Sequence, residues 1–561
     1  MKLTNTILST GALVALGLGM ALTTNTVHAD SVTSTAHESI YHLTTKDGWS
    51  NDLQSIVWNS KGKYYDLYFL HSKTADDPNE AGNQDWLHTT TKDFIHFTPQ
   101  NSAIKADGPE APYTWKSAWT GTVLVNDGSI KGVPKGAQVA YFSGLEKHDG
   151  GSQNVWVAWS SDNGRTFSHV LNNSAPVIDH SWNFTSQNKV DERDPAVVYW
   201  HGKMLMYTAE GSEFGVYQSH DGIHWSKADP NGASKVGMGT YLRGINSQDS
   251  TPVECPALRT MKMPNGKTKQ VLFFGAKAPH AGQTTGTYYI VGHLDNNGLF
   301  APETDAKRLD QGSDYYGANF SGSSDLSNAS RTIKSMGWIG NWNYTANGVH
   351  NDEVANSEFT KRLGSYSVAR NIELNNDLTI KSTPIVGHGK DIKHYNNVSK
   401  DHPINGANAS SNKPFTNGLI HNLLDVPNLS INKAYNLHFY NTKGNYKGRI
   451  YIDIWQGGDY VRFNYDPSNG WYNVKSRSGE LDKGRNGQIA SSYYNSGVMN
   501  QKTINLKVLT DKNSVEFFFP NGQSYTVARF NTNQKQDFKI FTEDPTNGNK
   551  VDVTQANLSK N

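Results

Sequence analysis

The feature that most restricts what this chain can fold into is a turn that recurs at wide, near-regular intervals. Thr91-Lys92-Asp93-Phe94-Ile95-His96-Phe97 is echoed by Ser219-His220-Asp221-Gly222-Ile223-His224-Trp225. Ser160-Ser161-Asp162-Asn163-Gly164-Arg165-Thr166-Phe167 is the same unit with one residue added, and Asp295-Asn296-Asn297-Gly298-Leu299-Phe300 is a looser copy. The aspartates lie 69, 59 and 74 residues apart. In each unit the Asp carboxylate can accept backbone N–H bonds and close a turn, and the aromatic that follows can plug a gap between sheets. An interval of this length holds about four short strands, one blade of a β-propeller. The visible turns, with room for another blade around Trp338 to Leu374, predict a five-bladed propeller; an assembly of β-sandwiches is the competing architecture.

The intervening sequence agrees with strands. Helical periodicity is scarce, whereas runs such as Tyr64-Tyr65-Asp66-Leu67-Tyr68-Phe69 and Val155-Trp156-Val157-Ala158-Trp159 alternate between Gly, Asn and Asp turns. The 27 Tyr, 21 Phe and 14 Trp suit strands. They also suit sugar binding, because the apolar face of a sugar ring stacks on an aromatic side chain. At 561 residues the chain is too long for one ordinary domain. Residues 30–378 are expected to form the propeller. Residues 379–415, rich in Asn, Lys, His and Ser, read as a loop or insertion. Alternation resumes in Tyr435–Tyr440, Arg449–Trp455 and Ser514–Phe519, so residues 416–561 predict a second all-β domain, a C-terminal β-sandwich.

The first residues carry an address. Lys2, the apolar stretch from Ala12 to Leu18 and Val27-His28-Ala29 form a basic start, an apolar segment and a small-x-small cleavage site. A signal peptide over residues 1–29 and an extracellular location follow. A membrane anchor is disfavoured because the apolar run is too short to span. The formal net charge of +1, with acids and bases interspersed, invites neither nucleic acid nor an anionic membrane. The single cysteine, Cys255, permits no internal disulfide. No metal-binding motif occurs, no cofactor is implied, and a monomer is expected.

Three carboxylates stand out by setting. Asp52 follows Gly48-Trp49-Ser50-Asn51 at the start of the first blade. Asp194 lies in Glu192-Arg193-Asp194-Pro195, directly before the run Ala196-Val197-Val198-Tyr199-Trp200. Glu254 lies in Thr251-Pro252-Val253-Glu254-Cys255-Pro256, again against a strand edge. The innermost strands of a propeller surround a central funnel, so acids from different blades can converge there. Glycoside hydrolysis needs two carboxyl groups, one ionised and one protonated, the latter kept so by a neighbouring charge and burial. Taken singly, each acid is equally suited to a turn or cap.

In order, these segments resemble glycoside hydrolase family 32, the invertase, levanase and inulinase family. Trp49-Ser50-Asn51-Asp52 is similar to the first half of its Trp-Met-Asn-Asp-Pro-Asn-Gly signature. Arg193-Asp194-Pro195 matches its Arg-Asp-Pro triplet, and Glu254-Cys255-Pro256 its Glu-Cys pair. Tyr41-His42-Leu43-Thr44 resembles the lead-in, and Trp119-Thr120-Gly121-Thr122 its Trp-Ser-Gly-Ser segment. Leu309 to Tyr316 resembles its Asp-x-Gly-x-Asp-x-Tyr stretch, Gly337 to Trp342 its Gly-Trp-x-x-Asn-Trp, and Leu509 to Phe517 with Asn521-Gly522 its C-terminal sandwich.

The resemblance implies a five-bladed propeller followed by a sandwich, and retaining chemistry on fructans, fructo-oligosaccharides or sucrose. It makes Asp52 the nucleophile, Glu254 the acid/base and Asp194 the stabiliser of the oxocarbenium-like transition state, with Arg193 positioning nearby. Cys255 is expected to tune Glu254 by packing. Asn51, Trp86, Trp119 and Thr120 are candidates for holding the fructosyl unit, although Trp86 serves equally well as core. After Asp52 the chain has Leu53-Gln54-Ser55 in place of Pro-Asn-Gly. Where family members carry Phe-Tyr-Gln, it has Tyr68-Phe69-Leu70-His71. Gln54 or His71 is the expected stand-in for the missing glutamine, and the change points toward the levan-processing branch, levan fructotransferases included. A fructosyltransferase shares every catalytic residue with the hydrolase. A sialidase, suggested by the Asp162 turn, lacks an arginine cluster, and a carbohydrate-binding propeller has no reason to keep three acids.

Overall fold

Strand-forming residues and turn residues alternate along the chain, and the computed structural model is accordingly all-β, with a few one-turn helices. It describes residues 39–45, 49–72, 84–108, 114–147, 151–180, 191–242, 251–276, 285–345, 364–395, 402–403, 421–482, 492–499, 503–531, 533–543 and 548–560. The expected signal peptide lies outside them. Five sheets of four or five antiparallel strands follow one another along the chain. Their first strands are Trp49–Asn59, Trp115–Val125, Glu192–Trp200, Val253–Lys262 and Tyr316–Phe320. These neighbour one another cyclically, the first touching both the second and the fifth.

The recurring turns sit where the spacing put them, at the outer ends of sheets. The Asp93 carboxylate accepts the Ile95 and His96 amides at 2.8 Å, and Asp221 accepts those of Ile223 and His224 at 3.0 and 2.9 Å. The rings that follow fill gaps between neighbouring sheets. Phe167 meets Tyr68 with centroids 5.4 Å apart, Trp225 meets Tyr141 at 5.8 Å, and Phe300 joins the core around Leu205 and Tyr207.

The fifth sheet has an equivalent turn that carries no aromatic. Asp377 accepts the Thr379 amide at 3.1 Å, and Ile380 takes the ring's place against Phe273 and Tyr289. Within the expected loop over 379–415, the described residues 379–395 and 402–403 include three short strands. Ile380–Pro384 is the outermost strand of the fifth sheet, and Lys393–Tyr395 and His402–Pro403 pair with strands of the two sheets that follow.

Those last two sheets have six and seven strands and share one core. Alternate residues of Lys433–Asn441 and Ile504–Asp511 face those of Ile450–Gln456 and Lys535–Thr542, and Tyr435 stacks on Phe538 at 4.0 Å.

A buried ionic network joins the fifth sheet to the six-stranded one. Arg370 donates to Asp310 at 2.6 Å, to Glu516 at 2.8 Å, and to the hydroxyls of Ser524 and Thr526. Its guanidinium lies over the Tyr315 ring, 4.2 Å from the centroid. His42, just ahead of the first sheet, bridges Asp511 at 2.8 Å and Glu516 at 2.7 Å. Burial alone pushes its imidazole down, but the hydrogen bonds and charges of the two carboxylates outweigh that and raise it to about 9. A group whose pKa is raised on folding contributes stability that is complete below its unfolded value and lost as pH rises through the folded one. Unfolding free energy should therefore fall by about 2–3 kcal/mol between pH ~6.5 and ~9.5. In His42→Gln, urea titrations should show that slope flattened; an unchanged slope would exclude His42 as its source.

Candidate active site

Each of the five inner strands breaks its pairing register close to its N-terminal end. Pairing lapses between Ser50 and Leu53, between Ala118 and Gly121, between Arg193 and Ala196, between Glu254 and Ala257, and between Tyr316 and Asn319. A bulge turns a side chain out of the alternation and re-aims it. The residues released are Asn51 and Asp52, Trp119 and Thr120, Asp194, Cys255, and Gly317. Asp194, Cys255 and Gly317 adopt left-handed backbone at φ of 63°, 50° and 50°. For Cys255 that conformation is strained, and its neighbours must hold it in place.

The re-aimed groups meet. Thr120 donates its hydroxyl to Asp52 Oδ2 at 2.9 Å. The Cys255 thiol lies 3.5 Å from the same oxygen and 3.7 Å from Asp194 Oδ2, and the Cys255 amide donates to Asp194 Oδ2 at 2.9 Å. Glu254 accepts from Arg193 on Oε1 and from the Tyr316 phenol on Oε2. Arg193 is braced in turn by Gln153 and Asp191, each at 3.1 Å. Gly317 lies directly behind Asp52: a Cβ there would stand 2.2 Å from Asp52 Oδ1, so only glycine fits.

Charge and burial set the protonation of the cluster. Burial, then the charges of Asp194 and Glu254, raise Asp52 to about 7. Burial raises Asp194 to about 6, Arg193 opposing and Glu254 reinforcing it. Burial and the surrounding carboxylates push the Cys255 thiol well up, so it stays a neutral S–H donor. Close carboxyl groups titrate as a set, and this set keeps a proton close to neutrality.

The other residues singled out from the sequence divide into those that face the acids and those that do not. Asn51 is buried beside Asp52, with its Oδ1, like Asp52 Oδ1, making no hydrogen bond. Trp119 is half-buried and donates its indole N–H to Gln84 at 3.3 Å. Trp86 is a core residue, fully buried, with its indole N–H given to the Trp119 carbonyl at 2.9 Å and its ring against Phe142. Gln54 is likewise turned inward. Its amide donates to the Asp52 carbonyl and accepts the Gly121 amide, both at 2.9 Å, so it braces the first bulge. His71 is buried opposite Ser50 and pairs with Asp85 at 2.8 Å.

Five contributors went unassigned in the sequence: Tyr316, Gly317, Gln153, Asp191 and Ser143, whose hydroxyl accepts the Asp194 amide at 2.8 Å. Tyr316 closes the stretch that resembles Asp-x-Gly-x-Asp-x-Tyr, a signal that was present. Gln153 and Ser143 lie in ordinary strands and have none.

The family model for the Glycosyl hydrolases family 32 N-terminal domain matches residues 42–384. The levanbiose-producing levanase of Bacillus subtilis (strain 168) is 26% identical over 502 residues, which cover 87% of this chain and 84% of that protein. An extracellular exo-inulinase of Meyerozyma guilliermondii is 23% identical over 444 residues, 77% of each chain. Among solved structures, a fructofuranosidase from Schwanniomyces occidentalis complexed with fructose superposes with a TM-score of 0.69 at 20% identity. The likeness covers 94% of this chain and 99% of that one and concerns the fold. With its matched segment spanning all five ring-forming sheets and all three acids, the chain belongs to glycosyl hydrolase family 32.

Proposed function

We propose that the chain is a secreted retaining hydrolase of β-fructosidic bonds, with Asp52 as nucleophile, Glu254 as acid/base and Asp194 as transition-state stabiliser. In this reading the five ring-forming sheets are the blades of a propeller and the last two sheets a β-sandwich. The observation that carries it is the convergence of the three acids at the bulged ends of separate inner strands, with Cys255 in reach of two of them.

In the first step Asp52 attacks the anomeric C2 of the fructosyl unit. The bond from C2 to the leaving oxygen breaks, its electron pair stays on that oxygen, and Glu254 supplies the proton. Water then attacks C2, gives its proton to the Glu254 carboxylate, and releases from Asp52 the fructosyl unit with whatever sugar it still carries. Asp194, anchored by the Cys255 amide, accepts fructose hydroxyls and offsets the positive charge that develops at C2.

Levan is the favoured polymer. The first motif departs from the family signature at Leu53 and Gln54, and two relatives are levanbiose-producing levanases. Incubation with levan, inulin and sucrose, followed by chromatography of the products, tests this. A difructose as the main product from levan, formed faster than any product from inulin, is expected. A cyclic difructose would favour a transferase, and no fructose-containing product from any of the three would sink the proposal.

A further inference from the structure

We infer that Tyr316 is a positioning residue for the acid/base: its phenol holds Glu254 Oε2 and, with Arg193 on Oε1, fixes the carboxyl plane and stabilises its ionised form. The inference rests on the assignment of Glu254 given above.

Two observations carry it independently. The phenol is fully buried and donates to Glu254 Oε2, while Arg193 takes the other oxygen from the opposite side. The strand beside Glu254 also makes room for the phenol. Gly275 pairs directly with Glu254, and a Cβ at that position would lie 2.7 Å from the Tyr316 hydroxyl. Gly275 does not occupy a left-handed backbone, so what its missing side chain supplies is space. Gly317, next along the chain, gives the same kind of clearance to Asp52. The dipeptide Tyr316-Gly317 therefore touches both members of the pair and sets where each carboxyl stands relative to the other.

The groups facing Glu254 include Arg193, Tyr316, Asp194, Asp52, Cys255 and Asp191. Of the donors to its carboxylate named above, Arg193 stays charged throughout, and burial with the Glu254 charge keeps the phenol protonated far into alkali. Once Glu254 has delivered its proton, both donors meet full charge and their bonds strengthen. The phenol thus favours the state that follows proton delivery in the first step and that accepts the water proton in the second.

The test is sucrose hydrolysis by the full chain, followed at high enzyme concentration from pH ~4 to ~9, for Tyr316→Phe, Gly275→Ala and Glu254→Gln. Loss of the phenol should lower kcat about ten- to a hundredfold with little change in KM. It should also move the alkaline limb of kcat up by about half a unit to one unit, because a donor to the ionised carboxylate is gone. Gly275→Ala, which displaces the phenol without removing it, should move the limb the same way by less. A merely structural role for Tyr316 lowers activity at every pH and leaves the limb in place. If Glu254→Gln loses the limb while the other two variants keep it where it was, the inference fails. If Glu254→Gln itself retains the native profile, the acid/base assignment falls, and the inference with it.

Discussion

Asp52→Asn should abolish fructoside cleavage and at the same time make the folded protein harder to unfold above pH ~7. In the proposed mechanism this removes the attacking carboxylate and with it the covalent step, an effect of about four orders of magnitude or more on kcat. The stability gain comes from the same burial that makes the site work. Folding raises Asp52 from its ordinary carboxylate range to about 7. The folded state therefore binds more protons than the unfolded chain between those values, and its stability falls as pH rises across that window. Asparagine keeps the hydrogen bond from Thr120 and removes the charge that Asp194 and Glu254 oppose. A gain on the order of 2–4 kcal/mol at pH ~8, shrinking toward zero near pH ~4, should appear in urea titrations of the two proteins. Equal stability at both pH values would show that neither burial nor the neighbouring acids penalise the Asp52 charge in the folded state.

The second large effect should come from Arg370→Met. The guanidinium is fully buried between Asp310 and Glu516, and its removal leaves Asp310 without its cation and Glu516 with His42 alone. Breaking a buried pair in this way costs about 3–5 kcal/mol. Because Asp310 also accepts the Thr526 amide at 2.8 Å and Glu516 accepts that of Val368 at 3.0 Å, the damage falls on the junction between the five ring-forming sheets and the six-stranded one. Calorimetry should show a lower Tm and a single transition separating into two. Adding Asp310→Asn should recover part of the loss, since that change removes the stranded charge. A transition unmoved from that of the parent would mean that the network adds nothing to the junction.

The sequence disclosed the features that rest on local chemistry. An Asp that closes a turn and a ring that plugs a gap leave a readable pair of letters, and four sheets announced themselves that way. The fifth did not, because Ile380 fills its gap without a ring, and the same substitution hid the strand Ile380–Pro384. At the site, Asp52, Asp194 and Glu254 were legible only as ordered motifs. What brings them together is a set of register breaks, and a break depends on the partner strand as much as on its own. Gln54 and Trp86 show the opposite limit. Both have side chains suited to a sugar, and both are turned inward, Gln54 as a brace on the backbone beside Asp52 and Trp86 as core beneath Trp119. Composition cannot report which way a residue near a bulge will turn.

The bulges also determine what small changes in chain length do. Residues within them lie outside the ladder, so deleting one from an inner strand lets the strand straighten and pair without interruption. The sheet becomes more regular, yet every side chain between the deletion and the strand end moves to the opposite face, and an acid or its support leaves the centre of the ring. Shortening by one residue is thus the mutation that improves the architecture while erasing the chemistry, so an inner strand that has lost its irregularity marks a chain that has stopped being an enzyme.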